Sequence, residues 1–269
     1  MLWVVILFSL GQAFVQASEK CDPLHPPGPF EILNPNLGIE EEPGSGGCAP
    51  GMARVENYCI DRFEASLMEV REGGALLYWS PYHNPGTRRV RAVSLAAAVP
   101  QGYISGDQAK AACENSGKRL CSDAEWQRAC RGPQNTLYPY GPDRYPVGST
   151  PGDPPCNEAR AKHPALELFP DDPHPFTHLE NACINQLEKS LARSGSFSKC
   201  ASAEGVYDLM GNLHEWTLGG TRNVFRGGFY VDTRRNGNGC SYVTTAHKSH
   251  YWDYSTGFRC CADLPHLGY

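Results

Sequence analysis

Twelve cysteines in 269 residues, none before position 21 and none in a C-x-x-C pair, constrain this chain more than any other feature. Without C-x-x-C spacing there is no support for a zinc ribbon or a thioredoxin-like redox pair. An even set reads as disulfides in a chain that reaches an oxidising compartment. The N-terminus supplies that condition: MLWVVILFSLGQAFVQA is mostly apolar and ends in Val15-Gln16-Ala17. The run is too short for a comfortable membrane span of ~20 residues and has the small-residue ending of a secretory signal cut after Ala17. It lacks a Lys or Arg ahead of the apolar stretch. The expectation is a secreted or periplasmic protein with no membrane insertion after signal cleavage. Cys260 and Cys261 are adjacent and are expected to bond separate partners, because a ring closed between neighbours is strained.

The remaining chain, about 250 residues, suffices for one large domain or two small ones. A net charge of -5 with no basic cluster argues against a nucleic-acid partner. Twenty-eight Gly and twenty-two Pro point to a loop-rich fold. Residues 18–47 are proline-rich, then acidic, then glycine-rich, which reads as a leader or linker ahead of a domain spanning 48–269. Cys48 and Cys59 bracket a short alternating piece suited to a hairpin with its own staple, and LLYWSPY (76–82) is a second strand candidate. Two helices are legible. Ser105 is an N-cap for GDQAKAACENS, with Ala109, Ala112 and Cys113 on one face and Gly117 as the stop. Ser122-Asp123-Ala124-Glu125 is a capping box, followed by Trp126, Ala129 and Cys130 on one face. Residues 133–204 are mostly punctuation. VFRGGFYV reads as a strand entering a glycine corner, and DYSTGFRCC as a short terminal strand.

Two clusters carry candidate chemistry. In GVYDLMGNLHEW (205–216) the His-Glu step is not a zinc-protease helix, because H-E-x-x-H fails at Leu218. A G-x-S-x-G nucleophile elbow is also absent. Gly211-Asn212 breaks any helix, so the stretch reads as a loop in which Asp208, Glu215 and main-chain carbonyls offer oxygens to a hard cation such as calcium. The bland alternative has Asp208 capping a turn and Glu215 pairing with an arginine. The second cluster is His247-Lys248-Ser249-His250-Tyr251-Trp252-Asp253. Two histidines three apart beside an acid suit zinc or copper, although a polar loop with an aromatic lid has the same composition.

Four stretches, SGKRLCSDAEWQRACRGP, GVYDLMGNLHEWT, FRGGFY and STGFRCC, together resemble the formylglycine-generating enzyme, or sulfatase-modifying factor, domain. The resemblance runs over residues 48–263. It implies an irregular, loop-rich α+β fold related to C-type lectins, with few helices and short antiparallel strands. It also implies a structural calcium site with Asp208 and Glu215 as side-chain ligands and Gly211 and Leu213 as carbonyl donors. A second calcium site would begin at Asn157-Glu158. The implied disulfides are Cys113–Cys260 and Cys130–Cys240, beside the local Cys48–Cys59. Cys121, at a position where the family usually has proline, is an added staple with Cys261 as candidate partner. Partners for Cys21, Cys156, Cys183 and Cys200 stay open.

The departures from the family bear on function. The family oxidises a substrate cysteine with oxygen and a copper(I) ion held by two cysteines just after the R-G-G block, and soft Cu(I) favours thiolates over carboxylates. Here the first of those positions is Asp232, and Cys240 stands in for the second only if it gives up Cys130. Phe229 replaces a usual serine and His214 a usual tryptophan. The expectation is a calcium-bound member without copper or formylglycine-generating activity, a scaffold for a peptide, glycan or protein partner. Two alternatives stay open: a metal- or oxygen-dependent enzyme of altered chemistry using Asp232, His214, His247 or His250 in the same groove, and a true copper thiol oxidase with rearranged cysteines.

Overall fold

The computed structural model describes residues 21–158, 160–220 and 222–265; the expected signal segment, residues 1–17, lies outside them. The Cys48–Cys59 disulfide ties down an antiparallel hairpin of β1 (Met52–Val55) and β2 (Tyr58–Asp61). Next come β3 (Ala65–Val70), β4 (Leu76–Tyr78) and β5 (Val90–Ser94), a three-stranded sheet with β3 in the middle. The strand expected over 76–82 stops at Tyr78. Its continuation turns, and the Trp79 indole donates to the His83 carbonyl at 2.8 Å.

Both helices form where their caps place them. In α1 (Gly106–Glu114) and α2 (Asp123–Arg131) each cap serine accepts from the N3 amide, and the N3 side chain accepts from the serine amide. Between them lies β6 (Arg119–Leu120). Ala109, Ala112 and Cys113 on α1, and Trp126, Ala129 and Cys130 on α2, are buried. After α2 the chain loops to one short helix, α3 (Pro164–Leu168), and then to β7 (His214–Gly219) and β8 (Arg222–Arg226). It closes with β9 (Val243–Thr244), β10 (Thr256–Phe258) and β11 (Cys260–Asp263). One sheet runs β1-β2-β11-β6 and another β10-β7-β8-β9. The pairings are antiparallel except β10 with β7, which are parallel.

All twelve cysteines are bridged. Cys113–Cys260 and Cys130–Cys240 are bonded as the resemblance implied, Cys121 is bonded to its candidate partner Cys261, and Cys21–Cys183 and Cys156–Cys200 complete the set. The first of the newly seen bonds corrects the reading of 18–47 as a linker. Its described part is fastened by Cys21 and by Asn36, which is buried and exchanges hydrogen bonds with both backbone groups of Val99 (2.8 and 2.7 Å). Ile39 packs against Val93 and Leu95. The segment has few apolar residues to bury, so composition alone hides an attachment made by side-chain-to-backbone hydrogen bonds and a disulfide. Among the described residues no helix is long and apolar enough to cross a membrane.

Candidate functional site

Strand alternation separates the two residues of the His-Glu step. Successive side chains of a strand point to opposite faces, and β7 sends His214 into a groove and Glu215 into the interior behind it. The interior site is built on Arg259, fully buried next to the terminal strand. Its guanidinium grips both oxygens of Glu215 at 2.6 Å and donates to the carbonyls of Asp61 and Tyr207. The Trp126 indole adds a third bond to Glu215, at 2.7 Å. Asp208 accepts from the Gly195 amide at 2.6 Å, and Glu64 accepts from the Asn212 side chain and the Leu213 amide. Three buried carboxylates thus share one guanidinium. Burial, then the charges of Asp208 and Glu215, push Glu64 well above the ordinary carboxyl range. Burial likewise lifts Asp208 to about 7 against the opposing Gly195 hydrogen bond.

This cluster contains the expected calcium loop, and its donors can be weighed against that ion. Oxygen donors and an excess of buried negative charge suit calcium. Glu215, however, spends both oxygens on Arg259 and Trp126, as in the blander reading of the sequence. Among the described residues no three His, Cys, Asp or Glu side chains gather as a metal-binding group, so a cation here would depend on main-chain carbonyls. Asn157 and Glu158 lie beside the loop. The Asn157 carbonyl accepts from the Asn212 amide at 2.8 Å, and its side chain donates to Asn212 Oδ1 and the Ser190 carbonyl. Gly211 adopts φ +78°, and a Cβ there would collide with the Asn157 carbonyl, so this turn requires glycine twice over. Glu158 Oε2 accepts from Arg144 and Thr233, while its Oε1 is buried without a partner.

On the other face of β7 lies a groove of about 400 Å³. Gly227 and Gly228, both at positive φ, end β8. The following turn, closed by Phe229 N–H to Asp232 O (2.9 Å) and its reciprocal (3.0 Å), sets Phe229 and Asp232 side by side on the wall. Arg226 bolts this corner to the first turn of α2 through a two-pronged pair with Asp123 (2.5 and 2.6 Å). Asp232 is held by the amides of Arg234 and Arg235 and by the Tyr242 hydroxyl. His214 is only 7% exposed and its Nδ1 has no hydrogen-bond partner. Burial, against the charge of Asp232, drops its pKa to about 3, so the imidazole is neutral. His247 also lines the groove, stacked on Tyr251 with centroids 3.8 Å apart.

Of the expected groove residues, His214, Phe229, Asp232 and His247 converge, and two do not. His250 is exposed and outside the lining. Cys240 is fully buried in its bond to Cys130. Copper(I) therefore finds a carboxylate and a disulfide where two thiolates are required, and the donors do not fit that ion. The sequence reading missed His163, Tyr242, Tyr254 and Ser255, and it noticed Asp253 only as a neighbour of the histidines. Asp253 accepts from Ser255 N and Oγ and from the Tyr251 hydroxyl (2.8, 2.7 and 2.6 Å). His163 Nδ1 accepts from the Ala165 amide, so the neutral ring donates Nε2–H to the Tyr254 hydroxyl at 2.8 Å. The density of aromatic and acidic residues in YWDYS (251–255) was the available signal. A larger cleft of about 640 Å³ lies by Arg119 and Arg128, but those cations are already paired with Glu125, Asp263, Glu56 and Glu204.

Residues 24–264 match the sulfatase-modifying factor enzyme 1-like domain. The inactive C-alpha-formylglycine-generating enzyme 2 of Mus musculus is 26% identical over 195 residues, 69% of this chain and 54% of that protein. The formylglycine-generating enzyme of Bos taurus is 26% identical over 200 residues, 63% of this chain and 46% of that protein. The chain spans about half the length of these curated relatives. Among solved structures, PvdO from Pseudomonas aeruginosa superposes with a TM-score of 0.46 at 16% identity, over 77% of this chain and 80% of that one. With its family match covering most of its length, the chain belongs to the sulfatase-modifying factor enzyme 1-like, or formylglycine-generating-enzyme-like, domain family.

Proposed function

We propose that this protein is an exported formylglycine-generating-enzyme-like domain that no longer oxidises cysteine and instead binds a peptide, glycan or protein partner in its groove. The observation that carries the reading is the wall of that groove, where Asp232 occupies the first thiolate position and Cys240 is committed to Cys130. A relative whose name marks it as inactive supports the same reading. The apolar N-terminus and six disulfides support export. Calcium belongs to the proposal as an internal brace, with Asp208, Glu215 and the Gly211 and Leu213 carbonyls around it and Asn157-Glu158 as a second, adjoining position. The excess of buried carboxylate over guanidinium supports a cation there.

The test is Cu(I) titration of the purified protein with a cysteine-containing peptide under oxygen, read by mass spectrometry. The expected outcome is no stoichiometric Cu(I) uptake and no aldehyde product. Copper-dependent turnover would sink the reading.

A further inference from the structure

Two carboxylates line the groove without a salt bridge. Asp232 and Asp253 have no ion-pair partner among the described residues, although Asp253 is only 7% exposed. Burying an unpaired negative charge is costly. Their hydrogen bonds, all from neutral amides and hydroxyls, fix the two side chains in place.

Three nearby donors are already engaged. The Tyr251 hydroxyl serves Asp253, the Tyr242 hydroxyl serves Asp232, and His163 Nε2–H serves Tyr254. A second, independent observation marks the same cavity as incomplete: His214, more than nine-tenths buried in its wall, has a ring nitrogen with no partner. The remaining wall is largely aromatic, with Phe229, Tyr251 and Tyr254 among its rings.

A ligand that completes this cavity must be rich in N–H donors, positively charged, and able to lie against ring faces. We propose that the groove takes an alkylammonium group, its N–H donors meeting Asp253 and Asp232 and its methylenes packing on the rings of Phe229 and Tyr251. This rests on the reading of the groove as a binding site. An ammonium brings three donors and no acceptor, and aromatic faces attract such a cation. The volume sits near the lower end of the ~300–1,000 Å³ typical of small-ligand cavities, which suits one side chain or a short amine. Arg235 at the groove's mouth is an exposed cation. Solvent screens it more than it screens the buried Asp253, so the inner carboxylate decides the sign of what binds.

The same chemistry comes from a lysine of a peptide or from a free polyamine, and one calorimetric titration separates them. The probes are Nα-acetyl-lysine methylamide, its neutral isostere Nα-acetyl-norleucine methylamide, and 1,5-diaminopentane, each added to the full mature chain. The lysine derivative is expected to bind about tenfold or more tightly than the norleucine one. Tighter binding of the lysine derivative than of the diamine identifies a peptide source, and the reverse order identifies a free amine. Asp253→Asn and Asp232→Asn should each weaken binding about tenfold, and Arg235→Gln should tighten it. Should Asp253→Asn fail to fold, the other two variants still report the sign. Equal binding of norleucine, no binding of either amine, or weakening by Arg235→Gln overturns the proposal. Copper-dependent oxidation of a cysteine peptide overturns the underlying reading instead. Absent amine affinity in a protein without that oxidation overturns this proposal alone.

Discussion

Arg259 is the residue on which the interior is organised. A fully buried guanidinium with its donors spread over Glu215, Asp61 and Tyr207 is held in one orientation. Arg259→Met keeps much of the volume but strips Glu215, Asp208 and Glu64 of the shared cation. Breaking a buried pair by removing one member costs about 3–5 kcal/mol, and urea denaturation of this variant should show a loss of that order. A loss under about 1 kcal/mol would mean the carboxylates are neutralised by other means. The arginine lies in the GFRCC block that carried the family resemblance, yet its task is invisible in the sequence. Its partners are 44 positions away at Glu215 and 198 at Asp61, and nothing local to the strand announces them.

Among elements, the two helices were legible because their signals are local. Each has a serine cap, a reciprocal N3 side chain, and apolar residues at helical spacing. Residues 133–204 were illegible for the opposite reason. They are held by Cys156–Cys200, by a hydrogen bond such as Asn157 to Ser190, and by the Arg144–Glu158 contact, none of which leaves a period in the sequence. The stretch expected to bind calcium and the groove meet at His214-Glu215, and strand β7 divides them by sending the two side chains to opposite faces. α2 reaches both: Trp126 touches Glu215, Asp123 bolts the groove corner, and Cys130 anchors the turn that carries Cys240. Joint replacement of Cys130 and Cys240 by alanine opens a loop of 110 positions. Chain-entropy reasoning sets the loss at up to ~4–5 kcal/mol. The expected result is a lower melting temperature with no gain of Cu(I) binding.

For the whole molecule, the proposed calcium brace makes a simple prediction. A ligand that binds only the folded chain stabilises it by about 2.7 kcal/mol at a hundredfold excess over its dissociation constant. Chelation should therefore lower the melting temperature, calcium should restore it, and Asp208→Ala should abolish the difference. An unchanged melting curve on chelation removes calcium from the account and leaves protonation of Glu64 and Asp208 to balance the interior. The adjacency of Cys260 and Cys261 has a consequence for how such a chain is made. Their partners, Cys113 and Cys121, emerge roughly 140 positions earlier, and β11 supplies the middle of a sheet whose other strands precede it. A chain delivered N-terminus first thus carries reactive thiols and an unfinished sheet until β11 arrives. Two neighbouring thiols then compete for two waiting ones, so refolding from the reduced state is expected to pass through mispaired forms that thiol–disulfide exchange must resolve.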